Sequence, residues 1–285
     1  MAKILITGGN GMVASYAKDV FVNHEIFITD RNSLNVCSKH SVRSAILKYT
    51  PEVVLHLAAA TDVDRCEQDH EYAFSVNAIG TENIAQECRR NNTKLIYVST
   101  GAVFNGDKCT PYNEFDVPSP LNMYGVSKLA GEKIVQELVR EHLVIRAGWI
   151  FGGSGKDKKF VGKIVSMINS GSKRLKAVDD KIGTPTYAKD FLEGVLQLLN
   201  DNQYGLFHIG NEGRGTRFQI AQEIVRVLGV NIEIQPVSSK EFLLPAPRGN
   251  SEAICNFKLK LYDYPAKRTW QSALEEYIIN TDFSI

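Results

Sequence analysis

Hydrophobic residues in the first half of the chain form short apolar runs that alternate with longer segments of helical periodicity. The runs predict buried strands at 3–7, 25–29, 53–57, 94–99 and 143–145. The segments between them predict helices at 12–21, 41–49, 72–91 and 124–141. Repeated strand–helix units of this kind predict an α/β fold with a Rossmann-type, doubly wound parallel sheet, and a ligand crevice at the carboxyl ends of its strands.

The pattern changes after Trp149. A stretch rich in glycine and lysine at 152–159 is followed by helical and strand-like segments separated by the loops GTP, NEGRG and PAPRGN. This order of segments predicts a smaller α/β lobe that is interleaved with the Rossmann-type part of the chain. We expect residues 1–150, together with about 187–209, to form the Rossmann domain, and 151–186 and 210–285 to form the second lobe.

Composition narrows the classes of function. Hydrophobic residues make up 44% of the 285 positions, enough for a large core. Lys and Arg number 33 against 32 Asp and Glu, so a net charge of +1 predicts neither a nucleic-acid partner nor a membrane-surface partner. Neither a signal segment nor a membrane-spanning run is evident, and we expect a cytoplasmic protein. The five cysteines are scattered without metal-ligand spacing, so we expect no metal site.

The glycines of ILITGGNGMVA lie directly after the first predicted strand. Gly8, Gly9 and Gly11 open the first predicted helix, where backbone N–H groups can face a pyrophosphate and the missing side chains allow its close approach. A turn that binds nothing is the alternative interpretation. The position between strand and helix favours a dinucleotide site.

Asp30 and Arg31 end the second predicted strand, about 20 residues after the glycines. The Asp30 carboxylate can accept hydrogen bonds from the adenosine ribose of NAD, whereas the Arg31 guanidinium can pair with the 2′-phosphate of NADP. The carboxylate would repel that phosphate, so the pair favours NADH or use of both cofactors. Two solvated charges at a strand end remain the alternative.

Tyr124 and Lys128 in YGVSK are four residues apart and therefore lie on one face of a helix. A positive charge about 4 Å from a phenol is worth about 4 kcal/mol at intermediate dielectric, which predicts a pKa depressed by roughly three units. Tyr124 would then serve as an acid or base near neutral pH. Ser99 and Thr100 end the fourth predicted strand, and the Thr100 hydroxyl can hydrogen-bond the reacting oxygen.

At these motifs the sequence resembles the extended short-chain dehydrogenase/reductases, and more narrowly the dTDP-4-dehydrorhamnose reductase family. The likeness also includes HLAAATDVDRCE, RAGWIFG, GTPTYAKD and FHIGNEG. It implies an oxidoreductase that uses NADH or NADPH to reduce a keto group of a nucleotide sugar, with Tyr124 as general acid, Lys128 lowering its pKa and binding the nicotinamide ribose, and Thr100 orienting the carbonyl. The implied cofactor contacts are Gly8, Gly11, Met12, Val13, Asp30, Arg31, Ala58, Ala59, Ala60, Asn77, Ser99, Tyr124 and Lys128, and the implied substrate contacts are Thr61, Val63, Thr100, Trp149 and Arg248.

The chain also departs from that family. Members usually follow the Ser-Thr pair with Asp and Tyr, whereas Gly101 and Ala102 stand here, so two polar sugar contacts are missing. A metal-linked dimer held by glutamates occurs in some relatives, but Tyr16 and Lys189 occupy the matching positions, so a homodimer would be held in another way. Gly101 and Ala102 cannot do the acid–base work of a dehydratase. An epimerase, or a non-catalytic dinucleotide-binding regulatory subunit, remains the alternative.

Overall fold

The computed structural model describes residues 1–281 and residue 283. The strands, in chain order, are β1 (Lys3–Thr7), β2 (Glu25–Ile28), β3 (Val53–His56), β4 (Lys94–Thr100), β5 (His142–Ala147), β6 (Trp149–Phe151), β7 (Arg174–Val178), β8 (Ile182–Gly183), β9 (Pro185–Tyr187), β10 (Gly205–Ile209), β11 (Gly215–Thr216) and β12 (Glu233–Val237). The α-helices are α1 (Ala17–Val20), α2 (Lys39–Tyr49), α3 (Val63–Gln68), α4 (His70–Phe74), α5 (Gly80–Arg90), α6 (Met123–Leu138), α7 (Phe160–Asn169), α8 (Ala188–Asn200), α9 (Arg217–Leu228), α10 (Phe257–Leu261) and α11 (Trp270–Asn280).

The central sheet has six parallel strands in the order β10-β5-β4-β3-β1-β2. The predicted fold class, an α/β fold with a doubly wound parallel sheet, is confirmed. The chain winds outward in both directions from β1 and β3, so the strand order reverses between these two strands. Ligands of such sheets bind beyond the carboxyl ends of the strands at this reversal.

Both faces of the central sheet are buried, which explains why its strands are almost continuously apolar. Ile4 and Ile6 of β1 lie in a core cluster with α1 and α8, whereas Leu5 between them lies in a cluster with α2, α5 and α6. This alternation follows from the two-residue period of a strand. A separate core cluster joins residues of α7, α9 and α11 with Phe151 and Tyr187.

Two of the predicted helices differ from those observed. The helix expected at 12–21 is a 3₁₀ turn at Val13–Tyr16 followed by the single turn of α1. The helix expected at 72–91 is interrupted by a π-helical turn at Ser75–Ile79, between α4 and α5. Such π turns are frequent at functional sites, and this one carries Asn77. Hydrophobic periodicity could not predict the 3₁₀ turn or the π-helical turn, because it shows only which face of a helix is apolar.

A buried ion pair joins the central sheet to α6. Arg146 of β5 donates from Nε to Glu132 Oε1 (2.9 Å) and from Nη2 to Oε2 (2.7 Å), and both side chains are at most 3% exposed. Ser99 Oγ of β4 donates to the same carboxylate at 2.5 Å. The Glu132 charge is therefore compensated from two neighbouring strands, as a buried carboxylate requires.

None of the helices within residues 1–281 is both long enough and apolar enough to cross a lipid bilayer.

We expect Arg146→Ala to destabilise the protein by about 3–5 kcal/mol, because it leaves the buried Glu132 carboxylate without its cation. Urea denaturation at pH 7 measures the change in the free energy of unfolding. Arg174→Ala is the matched control, because the Arg174–Glu233 pair is 69% and 58% exposed and such pairs contribute only about 0–1 kcal/mol. Similar losses in the two variants would contradict the role given to the buried pair.

Candidate active site

The glycine turn after β1 is held close to two neighbouring strands. Gly8 has a φ of +72°, and a Cβ there would lie 2.7 Å from Ala58 N. A Cβ at Gly9 would lie 2.4 Å from Ile28 Cγ2, and Gly9 N donates to Thr29 O at 2.7 Å. Gly11 is exposed, and its Cβ would meet only Gly8 O. Met12 and Val13 begin the first helical turn, so that turn does not use their N–H groups.

These features fit a bound pyrophosphate: the backbone is exposed at Gly11, the N–H groups of Met12 and Val13 are not used by the helical turn, and the glycine turn lies where the strand order reverses. Gly153, from the loop after β6, closes one side of the turn, since a Cβ there would lie 2.8 Å from Met12 Cγ. Tyr16 Oη accepts a hydrogen bond from Gly153 N at 2.8 Å. The later part of the chain therefore packs directly on the glycine turn.

A chain of buried hydrogen bonds connects β1 to the segment after β3. Thr7 Oγ1 accepts from Leu57 N and Ala58 N, both at 3.1 Å, so its one proton is directed to His56 Nδ1 at 2.8 Å. His56 must then carry its proton on Nε2, which lies 3.2 Å from Thr81 Oγ1. Burial lowers the pKa of His56 to about 3, so the ring is neutral. This series of hydrogen bonds fixes the backbone at Ala58.

Asn77 links the segment of three alanines to the helix that carries Tyr124. Its Oδ1 accepts from Ala60 N at 2.8 Å, and its Nδ2 donates to Ala60 O (3.1 Å) and to Ser127 Oγ (3.0 Å). The side chain is 1% exposed. Asn77 therefore positions the loop that contains Ala58, Ala59 and Ala60 rather than facing the solvent.

The Asp30 carboxylate is already engaged by its own turn. Oδ1 accepts from Asn32 N, Ser33 N and Ser33 Oγ, and Oδ2 accepts from Asn10 Nδ2 at 3.2 Å. Hydrogen bonds from Ser33 hold the pKa of Asp30 below its usual value, so the carboxylate stays charged. Asp30 can therefore offer Oδ2 to a ribose hydroxyl while its charge acts against a phosphate. Arg31 beside it is exposed.

Helix α6 places Tyr124 and Lys128 at the end of β4. Asn122 caps the helix by accepting from Gly125 N at 2.9 Å. A Cβ at Gly125 would lie 2.3 Å from Ala102 O, so glycine is needed for the helix to approach this closely. Tyr124 packs against the cluster of Ala60, Cys66 and Ala73. The phenol therefore faces the loop after β3.

The Thr100 hydroxyl meets the Tyr124 phenol. It lies close enough to the phenol to lower the pKa of Tyr124, and it accepts a hydrogen bond from Ala102 N at 3.1 Å. The two side chains that were predicted to share the reacting oxygen are thus brought together. The Ser99 side chain is 4% exposed and donates to Glu132, so it holds the sheet to α6.

The expected depression of the pKa of Tyr124 by Lys128 is wrong for this structure. Burial raises the pKa of Tyr124 to about 12, and the contact with Thr100 offsets only part of that rise. Lys128 Nζ lies 4.0 Å from the centroid of the Tyr97 ring, and burial lowers its own pKa to about 7 although Glu132 opposes the change. The ammonium thus packs on a neutral ring of β4, which spacing on a helix does not reveal.

Two of the predicted substrate contacts, Thr61 and Arg248, connect the segment after β3 to the later part of the chain. Thr61 is exposed, and Lys159 Nζ donates to its carbonyl oxygen at 2.9 Å. Val63 begins α3. Arg248 forms two hydrogen bonds with the Asp64 carboxylate, at 3.0 and 2.9 Å, so it ties the loop after β12 to α3. Its guanidinium is held by the Asp64 carboxylate in this structure.

Trp149 brings together two residues that sequence reasoning missed. The Arg217 guanidinium lies over the Trp149 ring, 3.7 Å from its centroid. Trp149 Nε1 donates to Glu252 Oε2 at 2.9 Å. Burial lowers the pKa of Arg217 to about 10, so it remains a cation. No motif marks either residue, and they are remote from Trp149 in the chain.

Within the part of the chain that the structure describes, no three His, Cys, Asp or Glu side chains are grouped so as to hold a metal ion.

The chain is similar to known proteins over almost its whole length. The family model described as "RmlD substrate binding domain" matches residues 2–283. The dTDP-4-dehydrorhamnose reductase of Mycobacterium tuberculosis is 34% identical over 281 residues, covering 95% of this chain and 91% of the relative.

Two solved structures are similar over almost their whole length. The dTDP-4-dehydrorhamnose reductase of Yersinia enterocolitica is 40% identical, with a TM-score of 0.90 over 98% of this chain and 99% of that one. The dTDP-4-dehydrorhamnose reductase of Bacillus anthracis, solved in complex with NADP, is 30% identical, with a TM-score of 0.94 over 98% and 99%. The match to the family model spans nearly the entire chain, and the chain therefore belongs to the RmlD substrate-binding-domain family of extended short-chain dehydrogenase/reductases.

Proposed function

We propose that this protein is an NAD(P)H-dependent reductase of a keto group on a nucleotide-activated sugar. The observation that carries the proposal is the meeting of Thr100 and Tyr124 at the carboxyl edge of the sheet, beside a glycine turn suited to a dinucleotide. Membership of a family whose relatives are dTDP-4-dehydrorhamnose reductases supports it.

The nicotinamide cofactor supplies the hydride for this reaction. Tyr124 gives its phenolic proton to the oxygen of the carbonyl that is reduced, and Thr100 donates a hydrogen bond to the same oxygen. A pKa of about 12 keeps the phenol protonated at working pH, which suits a proton donor. Lys128, while protonated, supplies positive charge beside the developing alkoxide and a donor for a ribose hydroxyl.

The second lobe, residues 151–186 and 210–285, would bind the nucleotide sugar, and residues 1–150 with about 187–209 would bind the cofactor. In support, β10 joins the central sheet next to β5, whereas α7, α9 and α11 pack in a separate core. Lys159 contacts Thr61, Arg217 lies over the Trp149 ring, and the two cations are close enough for Arg217 to lower the pKa of Lys159. Two neighbouring cations suit a diphosphate.

We expect Tyr124→Phe to lower turnover by about 10²- to 10⁴-fold with little change in cofactor affinity, because it removes the proposed proton donor and preserves its shape. Oxidation of NADH and NADPH, followed by absorbance with a panel of nucleotide 4-keto-sugars, measures turnover. Tyr262→Phe is the control, because Tyr262 is half exposed and follows α10.

Near-wild-type reduction by Tyr124→Phe would show that the proton comes from elsewhere. A wild-type protein that binds dinucleotide tightly but reduces no sugar in the panel would instead favour the regulatory-subunit alternative.

We expect Asp30→Asn to shift the preference between cofactors toward NADPH by about tenfold. Asparagine keeps the oxygen that accepts from Ser33 N and Asn32 N, but it removes the charge that repels a 2′-phosphate. Calorimetric dissociation constants for NADH and NADPH measure the ratio. An unchanged ratio would indicate that Arg31 or another cation governs the choice.

Cofactor affinity should begin to fall as the pH rises through about 7, because Lys128 carries its charge below its lowered pKa and loses it above. Two groups that face it, His56 and Tyr97, stay neutral through this range, because the pKa of His56 is about 3 and burial raises that of Tyr97. The third, Glu132, is held in its ion pair with Arg146. Binding titrations with NADH between pH 6 and 9 measure this change in affinity. NADH is used because the 2′-phosphate of NADPH itself titrates near this range.

In Lys128→Met the affinity for NADH should be weak at every pH and lack the change near pH 7. The same inflection in this variant would assign it to another group.

A further inference from the structure

The main chain at Glu252 occupies the space beside Gly101 at the end of β4. A Cβ at Gly101 would lie 2.7 Å from the Glu252 carbonyl oxygen. The segment is held there by hydrogen bonds from Glu252 N to Ile182 O (2.8 Å) and from Ser251 N to Gly106 O (3.1 Å). The Glu252 segment therefore leaves no room for a side chain at position 101 unless the backbone shifts.

Glu252 brings a carboxylate to this region. Its Oε2 accepts the hydrogen bond from Trp149 Nε1 at 2.9 Å, which fixes the direction of the carboxylate. Its Oε1 accepts no hydrogen bond from the residues described here, and the side chain is only partly buried. A carboxylate oxygen that is oriented but unpaired is a ready acceptor for a hydroxyl group.

The groups around this carboxylate belong to the proposed reaction. Glu252 is close enough to Tyr124 to add to the rise in the pKa of the phenol. Its charge also raises the pKa of Arg217, which burial lowers. Arg217 lies against the other partner of Glu252, the Trp149 ring. Glu252 is thus near both the phenol that protonates the carbonyl and a cation suited to the diphosphate.

We propose that Glu252 determines substrate specificity by accepting, on Oε1, a hydrogen bond from a ring hydroxyl of the sugar whose carbonyl Tyr124 protonates. The inference rests on the proposed function. A hydroxylated ring carried on a nucleoside diphosphate is the ligand class that this site would select. A sugar without the contacted hydroxyl would leave the carboxylate unpaired in the complex, and this penalty is the source of the selectivity.

The test measures binding rather than turnover. Calorimetry is carried out on the full chain with NADPH present, using a dTDP-linked 6-deoxyhexose and a set of analogues that each lack one ring hydroxyl. These sugars carry no keto group, so no reduction occurs. The variants are Glu252→Gln, which can still accept from Trp149 Nε1, and Glu252→Ala. The control is Glu233→Gln, in an exposed ion pair on β12.

We expect both Glu252 variants to bind the fully hydroxylated sugar about 10- to 100-fold more weakly than the wild type, the range for a hydrogen bond to a charged group. For one analogue, that lacking the contacted hydroxyl, the difference between variant and wild type should fall below about threefold. The control should bind every sugar like the wild type, and NADPH affinity should be unchanged in all proteins.

Equal losses for every analogue would mean that Glu252 acts only by orienting Trp149, and would overturn the inference. Unchanged binding of all sugars by Glu252→Ala would overturn it as well, while leaving the proposed function intact. A wild-type protein that binds NADPH but no nucleotide sugar would contradict the proposed function itself, and the inference with it.

Discussion

Helix α6 can lie against β4 only because Gly131 has no side chain. A Cβ at this position would lie 2.3 Å from the Tyr97 hydroxyl and 2.7 Å from Asn77 O. This close packing brings Tyr124 to the end of β4 and buries Lys128 against the Tyr97 ring. The positions of both reactive groups, and the burial that raises one pKa and lowers the other, follow from this contact.

The polar groups beneath the site are joined by a continuous set of hydrogen bonds. The hydrogen bonds from Thr7 through His56 to Thr81 end on Asn77 O, which accepts from Thr81 Oγ1 at 2.7 Å. Asn77 then connects the loop at Ala60 to α6. The glycine turn, the loop and the helix are therefore held by one network, and its members are positioning residues whose effect on chemistry is indirect.

Contacts between the two parts of the chain shape the cleft from the opposite side. Lys159 holds the loop at Thr61, and Arg248 holds α3 through Asp64. The Glu252 segment passes so close to Gly101 that the end of β4 cannot carry a polar side chain there. Glycine at position 101 thus fits the close approach of this segment, whose Glu252 carboxylate is held by Trp149 Nε1.

The fold class, the glycine turn and the Tyr124–Lys128 pair were predictable from the sequence, because strand and helix periods and short spacings decide them. The π turn at Asn77 and the environment of Lys128 were not, since both depend on packing between α6 and β4. Trp149 and Glu252 are separated by 103 positions. Only the tertiary structure could pair them, because a contact across such a separation is set by how the two parts of the chain pack and leaves no local pattern.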